Sequence, residues 1–146
     1  MRTFFSLLIT TLALMSCGST IGLQTTTKAA RVVSQSGDQH IKLVPIDELH
    51  TAFLQTGASC DFNHTVVDVQ GTVVAYGLTK EGVYTITLEQ NGQGALCTFD
   101  EAVASEFGTD GTVFANTTLV IRGQCQSTGL LANQPFAIHG CKIVSQ

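Results

Sequence analysis

Tryptophan is absent, tyrosine occurs twice, and only 12% of the residues are charged. Stacking platforms for nucleobases and a broad basic surface are therefore both missing, which argues against a single-strand nucleic-acid binder. No apolar run reaches the ~20 residues that carry a helix across a bilayer. No C-x-x-C pair marks a dithiol redox site, and the cysteine gaps of 37, 28 and 16 residues between Cys60, Cys97, Cys125 and Cys141 do not match close zinc-ligand spacing. There is no G-x-S-x-G elbow, no phosphate loop and no internal repeat. His40, His50, His64 and His139 fall in four separate segments, so the sequence assembles no catalytic group and names no cofactor or metal.

The start of the chain carries an address. Arg2 is followed by an uncharged run through Phe4, Phe5, Leu7, Leu8, Ile9, Leu12 and Leu14, and small residues close it. This is the pattern of a secretory signal peptide. Leu14-Met15-Ser16-Cys17 resembles the bacterial lipobox. The resemblance implies removal of residues 1–16, a diacylglycerol thioether on Cys17 and acylation of its new amino group. Each buried methylene is worth ~0.8 kcal/mol and two chains already give stable anchoring, so such a group holds the chain on a membrane. Gly18, rather than aspartate, implies sorting to the periplasmic face of the outer membrane in a Gram-negative cell.

Cleavage before Cys17 leaves six basic and eleven acidic residues. From Cys60 onward the balance is three basic residues (Lys80, Arg122, Lys142) against eight acidic ones, a surface that repels phosphates. Residues 17–40 read as a lipidated, flexible tether rich in Gly, Ser, Thr and Gln, with Ala30–Val33 offering at most a short strand. Residues 41–146 read as one domain. Pro45, Asp47 and Glu48 open a helix over 46–56, Ile46, Leu49 and Phe53 share its apolar face, and Gly57 stops it. Period-two alternation follows in Val67–Val73 and Tyr84–Glu89, with a hairpin turn at Asn91-Gly92. Ala95–Phe99, Thr118–Gly123 and Phe136–Val144 complete five strands, and residues 100–107 predict a helix between the third and fourth. The fold class is mainly β: a five-stranded, OB-fold-like Greek-key barrel with a short helix between strands 3 and 4 and a preceding N-terminal helix.

VDVQGTV (Val67–Val73), ALCTF (Ala95–Phe99), VIRGQCQSTG (Val120–Gly129) and IHGCKIV (Ile138–Val144) occur in that order, after Ile46-Asp47-Glu48-Leu49. The set resembles the bacterial tRNA_anti-like OB-fold family, although Gly129 stands four residues after Cys125, where that family often has glycine at two. The resemblance implies a fold and no substrate. Export places Cys60, Cys97, Cys125 and Cys141 where disulfides persist. Sequence alone leaves three pairings open. The OB strand order, with strands 3 and 5 parallel, favours Cys60–Cys125 with Cys97–Cys141. The functional expectation is a lipid-anchored envelope module that binds another envelope protein or a small ligand. The alternatives are an envelope hydrolase or redox factor with a spatially assembled site, and a purely structural lipoprotein.

Overall fold

The computed structural model describes residues 23–37, 40–100, 115–129 and 134–146. Cys17, the leader before it and the helix expected over 100–107 lie outside the described residues, apart from Asp100 at the end of the third strand. The strands are β1 (Val66–Leu78), β2 (Tyr84–Gln90), β3 (Gln93–Phe99), β4 (Thr118–Ser127) and β5 (Phe136–Ser145). They close in the order β1-β2-β3-β5-β4, with β4 returning to β1. Every neighbouring pair is antiparallel except β3 with β5. That order and closure define an OB-fold-like barrel.

The barrel closes because β1 serves two partners. Val66–Thr72 pairs with β4, and Thr72–Leu78 pairs with β2, with a register shift between Val73 and Ala75. At Gly71 a Cβ would sit 2.9 Å from the Glu89 carbonyl oxygen, so only glycine lets β2 pass this closely. Asn91 and Gly92 both have positive φ, 53° and 76°, and make the tight turn between β2 and β3. Val67, Val69, Val73, Ile86, Leu88, Ala95, Phe99, Leu119, Ile121 and Ile138 fill the interior.

Helix α2 (Ile46–Thr56) packs against β1, β2, β3 and β5 through Ile46, Leu49 and Phe53. Its first N–H groups find no side-chain cap at Pro45; the Gln90 amide oxygen accepts from Ile46 N–H instead, at 3.0 Å. Phe53 stacks on Phe136 at 5.3 Å between centroids, and His50 meets the same ring edge-on at 5.2 Å. Ahead of α2, residues 42–44 run beside β1: Asp68 N–H donates to the Lys42 carbonyl and Val44 N–H to the Asp68 carbonyl. They cover the stretch of β1 edge that β2 does not reach.

The largest correction concerns the tether. Residues 23–35, expected to be flexible, form a helix, α1 (Leu23–Gln35), that packs on β5, β4 and β3. The expected strand at Ala30–Val33 is part of that helix. Thr26, Ala29 and Val33 recur at helical spacing and are buried on its inner face. This stripe is made of small residues, so its hydropathy is weak, but small residues let the helix axis approach the sheet. The globular unit therefore includes α1, and the boundary placed at residue 41 moves toward the N-terminus.

Candidate functional site

The four expected cysteines converge in the barrel interior, where all are free thiols and all are buried. The two bridges expected from the sequence are thus not formed in this structure; proximity is. Cys97 on β3 and Cys125 on β4 both register with Ile138 on β5, so the three residues make one row across the sheet. Cys141 follows Ile138 after a bulge at Gly140, which has φ of 63°. The bulge turns the Cys141 side chain inward, where its Sγ donates to the Ile138 carbonyl at 3.3 Å and Cys97 is a neighbouring thiol. Gly123 makes room for it: a Cβ there would fall 2.7 Å from Cys141 Sγ and 2.5 Å from the Ile138 side chain. Cys60 precedes β1, and the turn that it begins is stitched to β4, with His64 N–H donating to the Cys125 carbonyl and Cys125 N–H to the Thr65 carbonyl.

Burial raises the thiol pKa of Cys125 and Cys141 well above the ordinary value, and neighbouring thiols add to the shift in both. Thiolates are the reactive form, so these two groups are chemically quiet while the barrel is folded.

A second cluster lies between α1 and the outer sheet face. Thr26 Oγ1 is 3.1 Å from Thr98 Oγ1, which is 2.8 Å from His139 Nδ1, all three residues being buried. Desolvation lowers the His139 pKa to about 4, so the ring is neutral at physiological pH. With Nδ1 accepting, Thr98 donates to the ring and accepts from Thr26, a chain that joins α1, β3 and β5. On the adjacent part of this face Arg122 holds Asp68 in a two-pronged pair, with Nε to Oδ1 at 2.7 Å and Nη2 to Oδ2 at 2.9 Å. Gln124 Nε2 donates to the His64 carbonyl. Among the described residues no buried side-chain nitrogen or oxygen lacks a partner, and no group of three or more His, Cys, Asp or Glu is placed to hold a metal.

The histidines stay apart. His50 donates from Nε2 to the Gly94 carbonyl, His64 occupies a positive-φ turn position, and His139 lies under α1. Sequence reading missed the partners of His139, because Thr98 and Thr26 are far from it in the chain and nothing local announces them.

Two shallow grooves are lined by described residues. One, of about 460 Å³, runs between α1 and β5 past Arg31, Ser34, Asp100 and Lys142; the other, of about 630 Å³, flanks α2 past Glu48, Phe62 and Gln90. On the β1–β2 hairpin, Tyr76 and Leu78 are 47% and 60% exposed. Leu78 registers directly with Tyr84, also exposed, so these three apolar side chains share one face of the pair.

No family model matches the chain, and no curated protein matches it. Among solved structures, the chain is similar to a provisionally assigned nucleic acid-binding lipoprotein from Klebsiella pneumoniae. The TM-score is 0.58 at 15% identity, over 76% of this chain and 100% of that one. It is also similar to part of a provisionally assigned aspartyl-tRNA synthetase from Leishmania major, with TM-score 0.53 at 7% identity, over 77% of this chain and 22% of that one. At these identities the likeness is one of fold: five strands closed in OB order.

Proposed function

We propose that this protein is a lipid-anchored cell-envelope module of the tRNA_anti-like type that binds another envelope protein through its β1–β2 face. The observation that carries the reading is the exposed row of Tyr76, Leu78 and Tyr84 at the end of the β1–β2 hairpin, on the face that continues from buried Ile86. Contiguous exposed apolar side chains on a soluble domain mark an interaction surface more often than an accident. A small ligand is the weaker occupant, because among the described residues every buried polar side chain is already satisfied within the chain. Such sites normally aim a few convergent polar groups at the ligand.

The lipobox-like Leu14–Cys17 supports the anchor, and the barrel's likeness to a Klebsiella protein described as a lipoprotein agrees with it. With lipid on Cys17, α1 begins only six positions later at Leu23, so its start lies within about 20 Å of the anchored residue even with the chain fully extended. A partner is then met close to the membrane surface. Nucleic acid, named for the same neighbour, fits this chain poorly: the acidic balance from Cys60 onward opposes phosphates. Quiet, buried thiols and a buried neutral His139 support a non-enzymatic role.

The test is a photo-crosslinking amino acid at Tyr76 in the full chain, expressed with its own leader and irradiated in intact cells. A reproducible crosslinked envelope protein, absent with the crosslinker at exposed Leu54 on α2, is expected. Crosslinks confined to the chain itself, residues 101–114 included, would refute the surface.

A further inference from the structure

We propose that the interior thiols are two disulfide sites, Cys97–Cys141 across the β3–β5 seam and Cys60–Cys125 between the turn after α2 and β4, each closing as the barrel folds. The oxidising compartment that drives them rests on the exported reading above; the pairing itself rests on geometry.

Three pairings are conceivable and the sheet removes one of them. Cys97 and Cys125 flank Ile138 on either side, so their backbones are two strand positions apart around the barrel, roughly 8 Å across its curve. A disulfide needs Cα atoms within roughly 4.4–6.8 Å, so Cys97 cannot bridge to Cys125 in this barrel. Of the two pairings left, contact decides. Cys97 is the thiol that acts most strongly on Cys141 beyond burial itself, both lie beside Ile138, and Cys60 belongs to a turn whose backbone is bonded to Cys125. The alternative joins Cys125 to Cys141 and requires Cys60 to reach Cys97 on β3, a strand to which its turn is not stitched.

The seam itself gives the first bridge a purpose. β3 and β5 share a single registered pair, Cys97 with Ile138, whereas β2 with β3 and β1 with β4 each run to seven. Cys97 sits at the one registered point of the parallel closure. A covalent link there fastens the ladder least able to hold itself. Cys60–Cys125 in turn ties the segment entering β1 to the end of β4.

Each bridge forms by two exchanges with an external disulfide, either glutathione disulfide or a disulfide-exchange protein. One core thiolate attacks the external S–S bond and expels one thiolate. The second core thiolate attacks the mixed disulfide and expels the other. The core pair gives up two electrons and two protons, and the external disulfide leaves as two thiols. Because the thiols are enclosed in the finished barrel, exchange precedes burial, and the closed bridges then resist reduction.

The test is refolding of the full chain from denaturant in a glutathione redox buffer, followed by alkylation before and after reduction and peptide mapping without reduction. The expected product alkylates at Cys60, Cys97, Cys125 and Cys141 only after reduction, and maps as the two proposed pairs. Its folding equilibrium is expected to exceed that of the reduced chain by about a hundredfold or more. A chain carrying Cys97→Ala and Cys141→Ala is expected to retain Cys60–Cys125. Free thiols at any of these four positions in a folded product, or Cys125 joined to Cys141, would overturn the proposal. The mass of the N-terminal peptide from membranes reports cleavage and lipidation independently, so a failure of the export reading is seen apart from a failure of the pairing.

Discussion

Gly140 lies directly beneath Ala30: a Cβ built on the glycine would fall 2.0 Å from the Ala30 nitrogen and 2.4 Å from the Ala29 carbonyl carbon. This is backbone against side chain, so no rotamer change relieves it. The glycine also has φ of 63°, where a Cβ is strained in any surroundings. Gly140→Ala therefore either lifts α1 or distorts the bulge that turns Cys141 inward. A loss of about 3 kcal/mol is expected in urea unfolding, combining strain and overpacking. Trypsin should cut faster after Lys28 and Arg31 on the loosened helix. Gly37→Ala, with nothing within 4 Å, is the matched control and should stay within about 0.5 kcal/mol of the parent. Equal behaviour of the two variants would refute the close packing of α1.

That contact explains why α1 was illegible in the sequence while the barrel was not. The strands announce themselves through alternating Val, Ile and Leu, and α2 through Ile46, Leu49 and Phe53, because in both cases burial requires large apolar side chains at a fixed period. α1 docks through Thr26, Ala29 and Val33 onto a glycine, so close approach replaces bulk and the periodicity fades. The cysteine cluster was half legible. Strand order brought Cys97 toward Cys141, but the inward turn of Cys141 depends on a bulge at Gly140 that alternation does not reveal. The Thr26–Thr98–His139 chain was not legible at all, since it exists only once α1 is docked.

His139 gives a signed pH dependence. Its folded pKa is lowered to about 4 by burial, against an ordinary value of 6.5. Between those values the unfolded chain binds the extra proton and the folded one does not, so stability rises with pH. The contribution is fully present above pH 6.5 and is lost as the pH falls toward 4. Its ceiling is about 3 kcal/mol, from the size of the shift. Urea midpoints measured between pH 4 and 7 should fall less steeply on acidification for His139→Gln than for the parent, since glutamine keeps an acceptor and cannot charge. Parallel profiles for the two chains would show that His139 titrates normally.

Asp68 and Arg122 are joined by two short bonds in a nearly dry setting, with side-chain exposures of 12% and 6%. Removing the Asp68 carboxylate takes two short charge-assisted bonds from a buried guanidinium, a loss of about 3 kcal/mol. Asp68→Ala should therefore destabilise strongly. Asp68→Leu combined with Arg122→Met should cost less than the sum of Asp68→Leu and Arg122→Met taken singly, because each single change alone breaks the two bonds between them. The backbone bonds of Asp68 to residues 42 and 44 survive these changes, so the cycle of Asp68→Leu, Arg122→Met and the double variant reads the coupling between the two side chains. A coupling near zero in guanidine-free urea titrations would show that the pair is solvated in solution.

Tyr76 and Leu78 separate binding from stability. Both side chains are exposed on a β1–β2 face, and threonine suits a strand at least as well, so Tyr76→Thr with Leu78→Thr should leave the urea midpoint nearly unchanged. The same chain should lose its crosslinked envelope partner, with the crosslinker now placed at Tyr84 in both the parent and the doubly substituted protein. If the substitutions instead cost 2 kcal/mol or more, the row packs against the chain's own residues. The β1–β2 face would then belong to the core and not to a partner, and the binding surface would have to be sought along the groove between α1 and β5.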